Sequence, residues 1–266
     1  MKIAIIGTGN LGKSIAKGLI TNNATTSLYL TKRNLDGIAE FNGYRNVYLT
    51  TDNAEAVKNS DILLFAVQPA HFERILHQIK PILTENHVLI STITGFSISK
   101  IEAKLGVDNF IIRAMPNTAI AVGKSMTCLC ANEQGQQRIG IAEAIFNRLG
   151  HSLTIPEAQM QAATVVCASG IAFWMRLIRA TTQAAIQLGF DAKEAQELAM
   201  YTSEGAASLL LINGKHPEEE IDSVTTPQGC TIEGLNEMEH KGLSAALIQG
   251  MVASFNKINT IKKEQL

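Results

Sequence analysis

Along the first 155 residues, short apolar and β-branched runs alternate with stretches whose apolar positions recur every three to four residues. The runs are KIAII (2–6), SLYLT (27–31), NVYLT (46–50), DILLFAV (61–67), HVLISTI (87–93), FIIRAM (110–115) and MTCLCA (126–131). Each has the length and composition of a strand. Between them, 10–20, 34–41, 53–59, 70–80, 97–105 and 134–149 carry helical spacing. Strands apolar on both faces, alternating with helices, predict an α/β domain: a doubly wound, mostly parallel sheet covered on both sides.

From PEAQM (156–160) onward the period changes. Apolar positions keep helical spacing through 157–188, 191–212 and 241–262, with Ala-rich faces and no strand signal. Gly189 and Gly214 mark helix ends. The boundary falls near 152–157, giving domains of 1–155 and, all-helical, 156–266. Stripes such as Leu198, Ala199, Tyr201, Thr202, Gly205, Ala206, Leu209 and Leu210 would suit an ordinary core. A helical half following an α/β domain more often builds a subunit interface, so an intertwined homodimer is expected. One loop interrupts the helices. SVTTPQGCTIEGL (223–235) is dense in hydroxyls, with Gly and Pro, and has no His; its one carboxylate, Glu233, is predicted inside the next helix. It is suited to hold a ligand, not to act as a general base.

Composition narrows the function. Charged residues are 18 % and apolar residues 46 % of the 266, against about 25 % charged in typical soluble proteins, which leaves much apolar surface to bury. A net charge of −1 without a basic run excludes an electrostatic footprint for nucleic acid. The chain opens directly on a strand, so no signal or transit peptide is expected. The most apolar window, 163–175, stops at Arg176 and is read as too short to span a bilayer, so no membrane partner is expected. Four cysteines without a CxxC pair fit a reduced, cytoplasmic protein. Cys128 and Cys130 lie two apart in a strand-like run with no His at ligand spacing, so no metal is expected.

The candidate chemistry starts at IIGTGNLG. Gly7, Thr8, Gly9, Asn10, Leu11 and Gly12 form a GxGxxG turn directly after a strand and opening a helix, the context that makes this spacing a dinucleotide site of the Rossmann type. Gly7 allows the tight turn, Gly9 lets backbone N–H groups approach the pyrophosphate, and Gly12 lets the helix pack closely. After the second strand, an acid would bind the ribose 2′-hydroxyl of NAD. This chain has Thr31, Lys32 and Arg33 instead, and no acid until Asp36. The cations predict NADPH, with NADH as a weaker alternative; a plain solvated turn is the competing reading. Val67, Gln68 and Pro69 end the fourth strand and should flank the ribose and nicotinamide. Thr92 to Gly95 and RAMPNT (113–118) hold the equivalent places on the fifth and sixth strands. Asn53 and Met115 complete the candidate cofactor contacts. Asn117 could bond an amide or a substrate carboxylate, or simply serve the turn.

Together these pieces resemble the pyrroline-5-carboxylate reductase family over essentially the whole chain. The resemblance rests on the Gly fingerprint, AVQP (66–69), STITG (91–95), RAMPNT (113–118), ASGIAF (168–173) and HPEEEIDSVTTPQGCTIEGL (216–235). The last block is the specific one, against a family pattern of approximately HPxxLxDxVxSPGGTTxxGL. Departures occur at Gln68, where the family has Lys, at Ile171, and at Gln228 and Cys230, where it has Gly and Thr.

What the resemblance implies is NADPH-dependent reduction of 1-pyrroline-5-carboxylate to L-proline by hydride transfer to a cyclic imine. Family substrate contacts fall on Ser223, Cys230 and Thr231. Backbone N–H groups of Gly229, Cys230 and Thr231 would form an anion nest for the carboxylate. Thr231 is the candidate catalytic group, its hydroxyl bonding the imine nitrogen, with solvent as the final proton source. A decamer of five dimers is the higher assembly the family offers. Three alternatives remain open here: Thr226 or Thr231 as a plain helix cap, an F420-dependent NADP oxidoreductase, and a silent NADPH-binding regulator.

Overall fold

The computed structural model describes residues 1–264. The chain forms two compact units, Met1–Ser169 and Gly170–Ile261. In the first, eight strands form one sheet: β1 (Lys2–Ile6), β2 (Ser27–Thr31), β3 (Val47–Thr50), β4 (Ile62–Phe65), β5 (Val88–Ser91), β6 (Phe110–Met115), β7 (Ser125–Ala131) and β8 (Gly150–Thr154). Their order is β3-β2-β1-β4-β5-β6-β7-β8. Every pair is parallel except β6 with β7.

Six helices cover the sheet: α1 (Asn10–Thr21), α2 (Asn53–Lys58), α3 (Pro69–Ile79), α4 (Ile98–Leu105), α5 (Glu133–Gln136) and α6 (Ile139–Phe146). Strand β1 shows why both faces are closed. Ile3 and Ile5 pack with Ile15 and Leu19 of α1 and Phe146 of α6, while Ala4 and Ile6 pack with Phe72 and Leu76 of α3 and Ile101 of α4. The two-residue period of the strand divides the core into two layers. The strand order reverses between β1 and β4, and the pairing of Ile6 with Phe65 sets their carboxyl ends side by side. That switch point is where an open α/β sheet offers a ligand crevice.

Three elements differ from the pattern reading. Strand β8 escapes it because GHSLT lies at the sheet edge with no buried residue, so it shows no apolar alternation. Residues Leu35–Phe41 form a 3-10 turn broken at Ile38, whose φ of −135° is not helical. The stretch 134–149 divides into α5 and α6 around Gln137 and Arg138. After β8, a 3-10 turn (Glu157–Gln159) leads into α7 (Met160–Ala163) and a π turn (Thr164–Ser169). Met160 and Ala163 pack into the second core layer. The first unit therefore runs to Ser169, whereas the period changes near 156: period records local conformation, and compactness records packing.

A buried ion pair fixes the start of this segment. Arg113 on β6 is 8 % exposed, and its Nη1 donates to Glu157 Oε1 at 2.8 Å. The same oxygen accepts from the backbone N–H of Ile98 at the start of α4, at 2.7 Å. The Nε of Arg113 is buried without a partner among the described residues.

The second unit holds α8 (Gly170–Gln187), α9 (Ala192–Asn213), α10 (Pro217–Ser223), α11 (Cys230–His240) and, as far as Ile261, α12 (Leu243–Glu264). Only Gly170, Thr182, Ala195 and Ala199 are buried in it among the described residues. Trp174, Tyr201, Leu211, Ile212 and Ile248 are largely exposed. Helices this apolar with so few buried residues have no sufficient core of their own. The helical run Glu157–Gln187 spans 31 residues and is long and apolar enough, by length and composition alone, to cross a membrane. The expectation of too short a segment is corrected here: it counted only the unbroken apolar window, and the helix continues through Arg176 and Arg179.

Candidate active site

The turn after β1 is built around glycine. Gly7 has φ +96°, and a methyl there would overlap Val67 Cγ1 and stand 3.0 Å from the Val67 nitrogen. A Cβ on Gly12 would lie 2.5 Å from the Gly7 carbonyl oxygen. No heavy atom stands within 4 Å of the Cβ position of Gly9, so this face of the turn is open. Gly9 caps α1 without a side-chain hydrogen bond, and the first turn of α1, with Asn10, Leu11 and Gly12, has no acid. Its N–H groups therefore lack intrahelical acceptors and point at the crevice with the positive end of the helix dipole. The Thr8 hydroxyl is fully buried and has no partner among the described residues.

The surrounding candidates take unequal roles. Thr31 is 2 % exposed, and its hydroxyl accepts from the Gly7 N–H at 3.2 Å. It shapes the turn from beneath. Lys32 is half-buried and its Nζ donates to the Gly37 carbonyl at 3.3 Å. Arg33 is exposed and has no ion-pair partner among the described residues. Asn53 opens α2 and reaches Gln78 at 3.4 Å. Gln68 caps α3 with its backbone, Pro69 follows at the first helical position, and Val67 packs against Gly7. Met115 is 5 % exposed and its side chain sits in the second core layer. Any cofactor contact from Met115 is therefore a backbone one.

Asn117 is committed to the fold. Its Oδ1 accepts from the Ala119 N–H at 3.0 Å, capping a 3-10 turn (Thr118–Val122), and its Nδ2 donates to the Cys167 carbonyl at 3.1 Å. It is 7 % exposed, so of its two open readings the turn-forming one describes its bonds. The RAMPNT motif places Arg113 near the site but does not announce its pairing with Glu157. A lone charge in an otherwise apolar strand was the available signal.

In the second unit, the loop between α10 and α11 turns on Pro227 and Gln228. The Gly229 N–H donates to the Thr226 carbonyl at 2.9 Å, and Gln228 has φ +60°. Proline fixes the first corner near −65°, so a positive φ at the second makes this a type II turn, which favours glycine there. Gly229 has φ −78° and caps α11 with no side-chain hydrogen bond. A Cβ on it would overlap the Thr226 hydroxyl and lie 2.9 Å from the Thr226 carbonyl. Neither Thr226 nor Thr231 is the cap, which removes the plain helix-cap alternative. The N–H groups opening α11 at Cys230 and Thr231 are left without intrahelical acceptors. Cys230 is exposed and Thr231 half-buried. Ser223 ends α10, with its hydroxyl donating to the Glu220 carbonyl at 2.7 Å. Glu233 lies inside α11, as its position in the pattern predicts.

Residues 157–261 match the family model described as pyrroline-5-carboxylate reductase dimerisation, and residues 2–95 match that of NADP oxidoreductase, coenzyme F420-dependent. Pyrroline-5-carboxylate reductase 2 of Dictyostelium discoideum is 42 % identical over 273 residues, covering 96 % of this chain and 91 % of that protein. The chain belongs to the pyrroline-5-carboxylate reductase family. Pyrroline-5-carboxylate reductase 1 of the same organism is 46 % identical over 96 % of this chain, which spans 49 %, about half, of that relative's length. The solved pyrroline-5-carboxylate reductase of Coxiella burnetii superposes with a TM-score of 0.92 at 30 % identity, covering 97 % of each chain.

Membership of the reductase family settles two of the open points. The N-terminal part is an NADP-binding domain, and the match to an F420-dependent oxidoreductase is confined to it. The C-terminal part is a dimerisation domain, which accounts for its exposed apolar faces. The residues at the switch point fit a dinucleotide: the Gly9 side is open, the first turn of α1 has free N–H groups, and Arg33 projects a cation.

Proposed function

We infer that this chain is a pyrroline-5-carboxylate reductase, an enzyme that reduces the cyclic imine 1-pyrroline-5-carboxylate to L-proline in the final step of proline biosynthesis. NADPH, when bound, supplies the hydride. The observation that carries the reading is near-full-length similarity to reductases of that name.

The chain's own residues have a limited task. A protonated C=N accepts hydride readily, so orientation matters more than acid–base power. The first turn of α1 holds the pyrophosphate through backbone N–H groups, and Arg33 grips the 2′-phosphate that NADH lacks. Lys32 can join it by giving up its bond to Gly37. The opening turn of α11, through Gly229, Cys230 and Thr231, anchors the substrate carboxylate, with Ser223 at its rim. The Thr231 hydroxyl gives the imine nitrogen its proton as hydride adds to the carbon, and water restores the proton to the hydroxyl. Asn117 contributes by holding its turn. The absence of His from 223–235 is consistent with this division of labour.

A steady-state assay with the imine and each nicotinamide tests the reading. Turnover with NADPH, and weaker turnover with NADH, is expected; cofactor binding without turnover would leave the silent-regulator alternative standing. We further propose a cytoplasmic location, on the ground of four cysteines without a CxxC pair, and a decamer of five dimers as the higher assembly. Fractionation and sedimentation of the full chain check those two points.

A further inference from the structure

Two cysteines distant in sequence meet beneath the π turn. Cys128 lies on β7 and is 3 % exposed, while Cys167 lies in the π turn and is half-buried. Their sulfurs are 3.9 Å apart, in van der Waals contact. We propose that Cys128 and Cys167 form a dithiol that hydrogen peroxide oxidises to a disulfide, a modification site in the NADP-binding unit.

The geometry assigns the two roles. Cys167 is the more reachable sulfur and so the one that meets the oxidant; Cys128, buried behind it, resolves the product. A hydrogen bond from the Cys128 thiol favours the thiolate of Cys167, against the opposing effect of burial. The Cys167 sulfur attacks the peroxide, the O–O bond breaks, and a sulfenic acid and one water form. The Cys128 sulfur then attacks Cys167, the S–O bond breaks, and the departing hydroxide leaves with the Cys128 proton as the second water. Two thiols lose two electrons and one peroxide becomes two waters. Closing from 3.9 Å to a bond of about 2.05 Å moves the sulfurs roughly 1.9 Å together. The π turn is the place for such a shift, since its wider hydrogen-bond ladder is already a local departure from the helix. Cys130 on the same strand is buried and is not the sulfur paired with Cys167.

The test uses full-length Cys230→Ser protein, which removes the exposed thiol and leaves three of the four cysteines. After hydrogen peroxide, denaturation and alkylation, two of the three thiols should vanish together. Intact mass should fall by about 2 Da, a peptide should join positions 128 and 167, and dithiothreitol should reverse both changes. Adding Cys167→Ser should abolish the link and leave Cys128 fully alkylated. If Cys230→Ser fails to fold, the same peptide is sought in the wild type. Cys167 recovered as sulfinic or sulfonic acid with Cys128 still free, or both thiols intact after peroxide, overturns the proposal.

Discussion

The turn opening α1 and the turn opening α11 use the same device in different surroundings. Both present a glycine cap without a side-chain bond and leave first-turn N–H groups for an anion. The first is wedged into a parallel sheet, where Gly7 takes a positive φ against Val67. The second joins two helices in a unit with four buried residues among those described, and its positive φ falls on Gln228. An anion site needs free N–H groups and close backbone approach, and it does not need a particular fold. What differs is how much each place tolerates a side chain. A crowded strand end admits only glycine, whereas an exposed corner admits glutamine at some cost.

That contrast can be broken most forcefully at Gly7. Gly7→Ala combines a disfavoured φ with overlap on Val67 and should destabilise the first unit by about 3 kcal/mol, with loss of NADPH binding. Urea unfolding and cofactor titration measure both, and a stable variant with normal affinity would refute the wedge. At the other turn, Thr231→Ala should reduce turnover roughly 10- to 100-fold with fold and NADPH affinity intact. A variant that loses only thermal stability would mean the hydroxyl serves structure. Arg33→Asp should raise the NADPH Michaelis constant about tenfold or more through loss of a charge-assisted contact, and leave that for NADH little changed. Equal effects on the two cofactors would deny Arg33 its role. The smallest effect belongs to Gln228→Gly, which relieves the left-handed corner and should stabilise the second unit by about 0.5–1 kcal/mol in thermal unfolding. No gain would mean that Gln228 makes compensating contacts in the dimer.

The sheet was readable because its strands are buried on both faces, so an unbroken run such as ILLF announces itself without any partner. The missed elements depend on neighbours. Strand β8 exists through its pairing with β7, and its own residues are polar and exposed. The 3-10 turn at 35–41 imitates a helix in its spacing but breaks at Ile38. At the site, Gly7, Gly9 and Gly12 carry their geometry in their chemistry and were legible. Asn117 was not, because either use of its amide fits a Pro-Asn pair until the Cys167 carbonyl is in place. The position of Thr31 beside two cations points to the phosphate, and only the structure adds that its hydroxyl accepts from the Gly7 N–H.

The ion pair of Arg113 and Glu157 constrains the order in which this sequence can change. With Arg113 10 % and Glu157 32 % exposed at their side chains, loss of Glu157 alone would strand a guanidinium whose Nε already lacks a partner among the described residues. That step costs about 3 kcal/mol, since an uncompensated buried charge is the expensive half of such a pair. Loss of Arg113 leaves a carboxylate that keeps the Ile98 N–H and some water, a cheaper intermediate. Any lineage that replaces the pair with apolar residues should therefore have given up the arginine first.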